Sequence, residues 1–240
     1  MQQLKILWTG GWDSTFRILM LRKHNVTIVP YYVYFKGRKT NDDELAVICK
    51  IRDKIMTLPD TKASILDTVI FEESKKISKD IQQAFLNLRN ESFLGAQYVQ
   101  LSELALRIED LELGIHKDDK AHKFIQEFGV LDKIKSEYGN VLILDKEKTS
   151  NKDVINLFGN FRFPLLNLTK VEMKKIAEKE GVLHIMNETI FCHHLIKNKP
   201  CGYCNPCIYT IQEGLSYRFG NLGLIRYYLS YPLKKILGKI

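Results

Sequence analysis

Two sets of residues in this chain have types and spacings that could do chemistry. The first is Thr9-Gly10-Gly11-Trp12-Asp13-Ser14-Thr15. Successive glycines let a backbone turn approach a phosphate closely, and the N–H groups of such a turn, with the positive end of a following helix, donate to an anion. Hydroxyls at Thr9, Ser14 and Thr15 can add hydrogen bonds. The plainer reading is a tight turn with Asp13 or Ser14 capping a helix. No lysine follows the glycines at the spacing of kinase and GTPase phosphate loops, so that class of nucleotide site is excluded.

The second set is Cys192, Cys201, Cys204 and Cys207, spaced C-x8-C-x2-C-x2-C with Gly202 and Asn205-Pro206 making turns between the last three. Four thiolates this close suit a tetrahedral structural zinc. An iron–sulfur cluster is the rival, although Ile211 stands where its fourth cysteine is expected. His193 and His194 adjoin Cys192 and are expected to be neighbours of the site rather than ligands. Cys49 stands apart and reads as a small buried thiol on an apolar helix face.

A third place is held by Lys170. Thr169-Lys170-Val171-Glu172 fits a capping box, in which the threonine oxygen and glutamate carboxylate satisfy backbone donors of a first helical turn. Lys170 is not needed by the cap, and is free either to meet a phosphate or to remain a solvated lysine.

These residues need elements to hold them. Leu4 to Trp8 reads as a short buried strand, the glycines punctuate it, and Thr15 to Arg22 opens a helix. Alternation continues with a strand at Val26 to Phe35, a helix at Asp42 to Met56 and a strand at Thr68 to Phe71. Helices at Ser74 to Leu88 and Ala96 to Ile108, strands at Leu111 to Ile115 and Val141 to Leu144, and a helix at Thr169 to Glu180 follow. Strands alternating with helices predict an α/β fold: a doubly wound, Rossmann-like parallel sheet with helices on both faces and a C-terminal zinc-binding appendage. Residues 1–190 would form the nucleotide-binding domain. Residues 191–240 would carry the cysteines and a basic amphipathic tail that packs on the domain or on a dimer partner. The glycine turn would then lie where the first strand meets the first helix, the position at which such sheets bind ligands.

The glycine stretch resembles the PP-loop of ATP pyrophosphatases, Ser-Gly-Gly-x-Asp-Ser-Ser/Thr, with Thr9 keeping the hydroxyl of the first serine. Combined with the cysteine spacing, it is similar to the 7-cyano-7-deazaguanine synthase family. Phe163-Pro164-Leu165, Leu168 to Glu172 and Glu188-Thr189-Ile190-Phe191-Cys192 resemble further segments of that family. The resemblance implies that Thr9, Gly10, Gly11, Asp13, Ser14 and Thr15 hold ATP, with cleavage between the α and β phosphates and adenine near Tyr32 to Tyr34. It implies carboxylate activation as an adenylate, ammonia displacing AMP, and a second activation giving a nitrile. Asp13, Ser14 and Lys170 are the candidate catalytic residues, ATP and Mg²⁺ the expected cofactors, and Zn²⁺ a structural metal at the four cysteines.

The middle of the chain departs from the family. Leu94-Gly95-Ala96-Gln97-Tyr98 stands in place of a Pro-x-Arg-Asn stretch, His116 to His122 replaces an aspartate and a Tyr-Pro-Asp segment, and Ile208-Tyr209-Thr210 lacks an expected arginine. Phosphate and metal ends therefore match while the substrate region differs. The expected partners are a small-molecule carboxylate and ammonia or another amine, with a protein acceptor as an open alternative and a homodimer as the assembly.

Thirty-six basic against 28 acidic residues leave a net charge of +8, compatible with polyanions. A nucleic-acid-binding zinc protein is the competing reading from another class, but nucleic acid is not the expected partner. The opening stretch is too short and too soon interrupted for a signal peptide, and the run Ile28 to Phe35 is far below the roughly 20 residues of a membrane span. A soluble cytoplasmic protein is expected, without a membrane partner.

Overall fold

The structure, a computed structural model, describes residues 2–236. Its frame is one mixed sheet of eight strands in the order β3-β2-β1-β5-β8-β7-β6, with β4 also pairing β2. The strands are β1 (Gln2–Leu7), β2 (Val26–Tyr34), β3 (Ser64–Ile65), β4 (Val69–Glu72), β5 (Leu111–Glu112), β6 (Leu131–Ser136), β7 (Gly139–Leu144) and β8 (Phe161–Phe163). β1 and β2 run parallel with Leu4 opposite Ile28 and Ile6 opposite Pro30. Pro30 has no N–H to give, and it sits where the far edge of β2 changes partner. Thr27 and Ile28 pair β3, whereas Tyr31 to Tyr34 pair β4.

The expected parallel, doubly wound arrangement holds from β3 through β8, with one correction beyond it. β6 and β7 form an antiparallel hairpin, and β7 runs antiparallel to β8. β6 was not legible as a strand because it is an outer strand with no buried residue, so its apolar period is faint.

Helices cover both faces, as a sheet with two apolar faces demands. On one face lie α3 (Lys79–Glu91), α4 (Gln97–Ala105), α5 (Lys120–Phe128) and α6 (Lys152–Phe158), whose Phe85, Leu101, Phe124 and Phe158 pack with Leu111 and Phe161. On the other lie α1 (Trp12–Leu21), α2 (Asn41–Met56), α7 (Lys170–Lys179) and α8 (Leu183–Met186), joining Phe16, Ile51, Met173 and Ile185 to Ile6 and Ile28. α2 corrects the reading of Cys49. The buried stripe runs through Asn41, Glu44, Ile48, Ile51 and Ile55, and Cys49, one step around the helix from Ile48, is exposed.

The capping box at Thr169 is present as expected: its side chain accepts from the Glu172 N–H while the Glu172 carboxylate accepts from the Thr169 N–H. Beyond it, α9 (Asn205–Thr210), a π-helical turn Ile211–Leu215 and α10 (Asn221–Ile236) complete the described chain. α10 buries Gly223 and Tyr227, and Arg226 donates to the Cys201 carbonyl at 2.6 Å. Its outward face carries Leu222, Ile225, Tyr228, Leu229, Leu233 and Ile236. Leu237 and Lys239 of the amphipathic tail lie outside the described residues. Among the described residues, no helix is long and apolar enough to cross a membrane.

Candidate active site

The glycine turn joins β1 to α1, at the C-terminal edge of the parallel strands. Gly10 has φ +67°, a left-handed conformation that glycine adopts without steric cost. Its carbonyl accepts from the Ile190 N–H at 3.0 Å, which ties the segment leading to the cysteines against the turn. Gly11 is the N-cap of α1, and no side chain caps that helix. Although Asp13 stands in the first turn, no side chain accepts from the first-turn N–H groups, which leaves them open to an anion.

A cavity of about 630 Å³ opens beside the turn, within the range of small-molecule sites. Thr9, Gly11, Asp13 and Ser14 form one wall, and Cys192, His193, Asn205, Pro206, Tyr209, Gln212 and Glu213 another. β5 brings a third wall. Gly114, just beyond it, passes so close to the turn that a Cβ there would stand 3.3 Å from the Ser14 nitrogen. That approach places His116 in the cavity wall beside Asp13.

Not every residue of the turn faces the cavity. Thr15 is fully buried, and its hydroxyl accepts from the Trp8 indole N–H at 2.9 Å. It braces the turn from the core side rather than offering a hydroxyl to a ligand. Tyr32 is likewise buried, its hydroxyl 2.9 Å from both the Asn41 amide oxygen and the Glu44 carboxylate, and at this end of β2 it is Val33 and, just beyond the strand, Phe35 that line the cavity.

Lys170 follows its cap into α7 and points into the site. Its Nζ lies 2.7 Å from Glu213 and 3.9 Å from Asp13. Burial pushes its pKa down, but the Asp13 and Glu213 carboxylates outweigh that effect and hold it above the ordinary lysine value. Burial likewise pushes Glu213 up, and His116 and Lys170 reverse the shift, leaving it below the usual carboxylate range. His116 lies between two carboxylates, Nδ1 at 3.6 Å from Asp13 and Nε2 at 3.4 Å from Glu213. Asp119 caps α5 by accepting from the Ala121 N–H at 2.7 Å, and it also accepts from the Tyr98 hydroxyl at 3.3 Å.

Glu213 was invisible in the sequence because it belongs to no spaced motif, and only the fold brings it to Lys170. His116 and Tyr98 stood out there only as replacements. Arg218 was also missed: its guanidinium lies over the rings of Trp12 and Phe191 at 5.1 and 4.5 Å and donates to the Thr189 carbonyl at 2.6 Å. Burial lowers its pKa to about 10.

The four clustered cysteines are buried, and their sulfurs all lie within 4.8 Å of one another. The N–H of His194 and that of Cys201 aim at the Cys192 sulfur at 3.4 and 3.2 Å, and the N–H groups of Tyr203 and Cys204 aim at Cys201 at 3.4 and 3.3 Å. Donors converging on sulfur favour thiolates, so this donor set fits a thiophilic metal ion. The ring of His194 stacks on Tyr203, whereas His193 lines the cavity.

Comparison with known proteins agrees with this layout. The family model described as queuosine biosynthesis protein QueC matches residues 4–216. A 7-cyano-7-deazaguanine synthase from Buchnera aphidicola subsp. Schizaphis graminum (strain Sg) is 22% identical over 232 residues, covering 87% of this chain and 88% of the relative. Among solved structures, a predicted subunit of tRNA methyltransferase from Methanocaldococcus jannaschii DSM aligns over 75% of this chain and 90% of that one. It does so at 15% identity and a TM-score of 0.29, too loose a likeness to inform the site.

Proposed function

The chain belongs to the queuosine biosynthesis protein QueC family, within the PP-loop ATP pyrophosphatases, and on that premise we propose that it uses ATP to activate a carboxylate as an acyl-adenylate. The observation that supports this reading is a cavity walled on one side by a glycine turn without a side-chain cap and on the other by the cysteine-bearing segment. ATP phosphates would lie against Gly11, Asp13 and Ser14, with Lys170 beside them. The substrate carboxylate attacks the α phosphorus, the bond to the β phosphate breaks, and pyrophosphate leaves stabilised by the turn's N–H groups and Lys170. Mg²⁺, when bound with ATP, offsets charge on the leaving pyrophosphate. An amine then attacks the acyl carbon and expels AMP.

Zinc is the metal we assign to Cys192, Cys201, Cys204 and Cys207. Tetrahedral Zn–S bonds of about 2.3 Å space sulfurs roughly 3.8 Å apart, compatible with the close cluster, whereas an iron–sulfur cluster puts iron and sulfide between its ligands. Its role is structural, holding the segment that forms one cavity wall.

The substrate of this reading is 7-carboxy-7-deazaguanine or its amide, supported by the family and by a relative named as a 7-cyano-7-deazaguanine synthase. On this reading the chain differs from an ordinary synthase in what it finally makes, with adenylate or amide accumulating ahead of nitrile. Gly95, Gln97, Tyr98, His116 and Tyr209 all line the cavity, so the departures from the family pattern fall on the surface that would meet substrate and acceptor. The test is mass analysis of products from ATP, Mg²⁺, 7-carboxy-7-deazaguanine and ammonia. Adenylate or amide accumulating ahead of nitrile supports the reading. Rapid conversion to nitrile would make the chain an ordinary synthase, and absence of AMP would remove the deazaguanine substrate.

A further inference from the structure

His116 is a buried titratable group in the cavity that the activation step does not use. Its side chain is 2% exposed, and neither ring nitrogen has a hydrogen-bond partner in bonding geometry. Buried polar groups are nearly always satisfied, so an imidazole orphaned at both nitrogens in a cavity wall calls for a functional explanation. On one side it borders Asp13 of the phosphate turn, on the other Glu213, next to Tyr209 and Gln212 on the opposite wall.

We propose that His116, oriented by Glu213, accepts the proton released when an amine attacks the acyl-adenylate. The inference rests on the carboxylate-activation reading and assigns the base of its second step. The amine lone pair forms the new C–N bond, the bond between acyl carbon and phosphate oxygen breaks with its electron pair leaving on AMP, and the ammonium proton passes to His116 Nδ1, the nitrogen on the side of the phosphate turn, while Nε2 faces Glu213. Glu213 stabilises the imidazolium that results, as an orienting carboxylate does for a histidine base.

The charged groups facing the ring come from four segments: Asp13 of α1, Glu213 of the π-helical turn, Lys170 of α7 and Asp119 before α5. Burial and Lys170 oppose protonation, yet the carboxylates outweigh them and hold His116 above the ordinary imidazole value. Aminolysis should therefore lose rate on the acid side of a pKa higher than about 6.5.

The experiment separates two half-reactions on full-length, metal-loaded protein: ATP–pyrophosphate exchange with 7-carboxy-7-deazaguanine, and single-turnover conversion of the adenylate by ammonia across pH, with the concentration of free, unprotonated ammonia held constant. In His116→Gln the ammonia step should fall at least about tenfold further than exchange, with the acid limb lost. Hydroxylamine, whose adduct sheds its proton more readily, should recover much of the difference. In Glu213→Gln the acid limb should move to lower pH.

An equal fall in both half-reactions, or an acid limb unmoved in Glu213→Gln, would overturn the assignment. The second criterion decides alone if His116→Gln does not fold. No exchange in the wild-type protein would instead remove the activation step itself, and the base with it.

Discussion

Arg17 and Glu112 form a buried two-point ion pair, Nε to Oε2 and Nη2 to Oε1, both at 2.8 Å. Arg17 also donates to the Tyr138 carbonyl at 2.9 Å, so one guanidinium joins helix α1, strand β5 and the hairpin turn. The pair holds β5, from which the chain runs on to Gly114 and His116, against the helix that carries Asp13 and Ser14. Glu112→Ala would strand a buried cation, and a loss of about 3–5 kcal/mol is expected. Urea unfolding of the variant checks this, and a change below about 1 kcal/mol would mean that water or another carboxylate reaches Arg17.

Stability should also depend on pH through His116. Its folded-state pKa is raised, chiefly against the effect of burial by the Asp13 charge. A raised value means the folded state holds the proton more tightly, so this contribution is full below about 6.5 and is lost as pH rises through the folded value. Unfolding of wild type and His116→Gln from about pH 5 to about pH 9 should show the wild type losing stability relative to the variant as pH rises. A relative gain would reverse the sign and refute the charge arrangement.

Much of this was legible in the sequence, and what was not has a physical reason. β1, the glycine turn and α1 carry local signals: a short apolar run, two glycines, then helical spacing. The Thr169 capping box was readable for the same reason, since all its partners lie within four residues. The hairpin of β6 and β7 was not, because an outer strand with polar residues on both sides loses the apolar period. The failure at Cys49 was angular, one step around a helix. Glu213 was out of reach because its meaning comes from Lys170, 43 residues earlier, and from His116 on a third element. Thr15 shows the converse limit. The motif marks its position, but only the packing of Trp8 reveals that its hydroxyl is already bonded.

The cysteine cluster yields a composition test. Protein isolated from cells should carry one zinc per chain, and Cys201→Ser should lose metal and stability together, because metal binding and folding are coupled at such sites. Cys49→Ser should keep full metal, since Cys49 is exposed and is not part of the cluster. Iron with labile sulfide, or well-folded protein without metal, would overturn the zinc assignment.

Asp13→Ala and Ser14→Ala should each reduce ATP turnover by at least about tenfold while leaving the fold largely intact, with Asp13→Ala also losing the charge that favours protonated His116 and Lys170. Both residues line the cavity. Thr15→Ala should behave differently, costing about 1 kcal/mol or more by leaving the Trp8 indole N–H buried and unpaired. Pyrophosphate release at wild-type rate in both Asp13 and Ser14 variants would remove the phosphate-site assignment.

A carboxylate oxygen that attacks the α phosphorus of ATP is carried into AMP, so isotope transfer reports on that step directly. With 7-carboxy-7-deazaguanine labelled by heavy oxygen in its carboxylate, turnover with ATP and ammonia should deliver one labelled oxygen to AMP, detected by mass spectrometry. The amide should keep the other. Unlabelled AMP, or ADP in its place, would contradict the acyl-adenylate account.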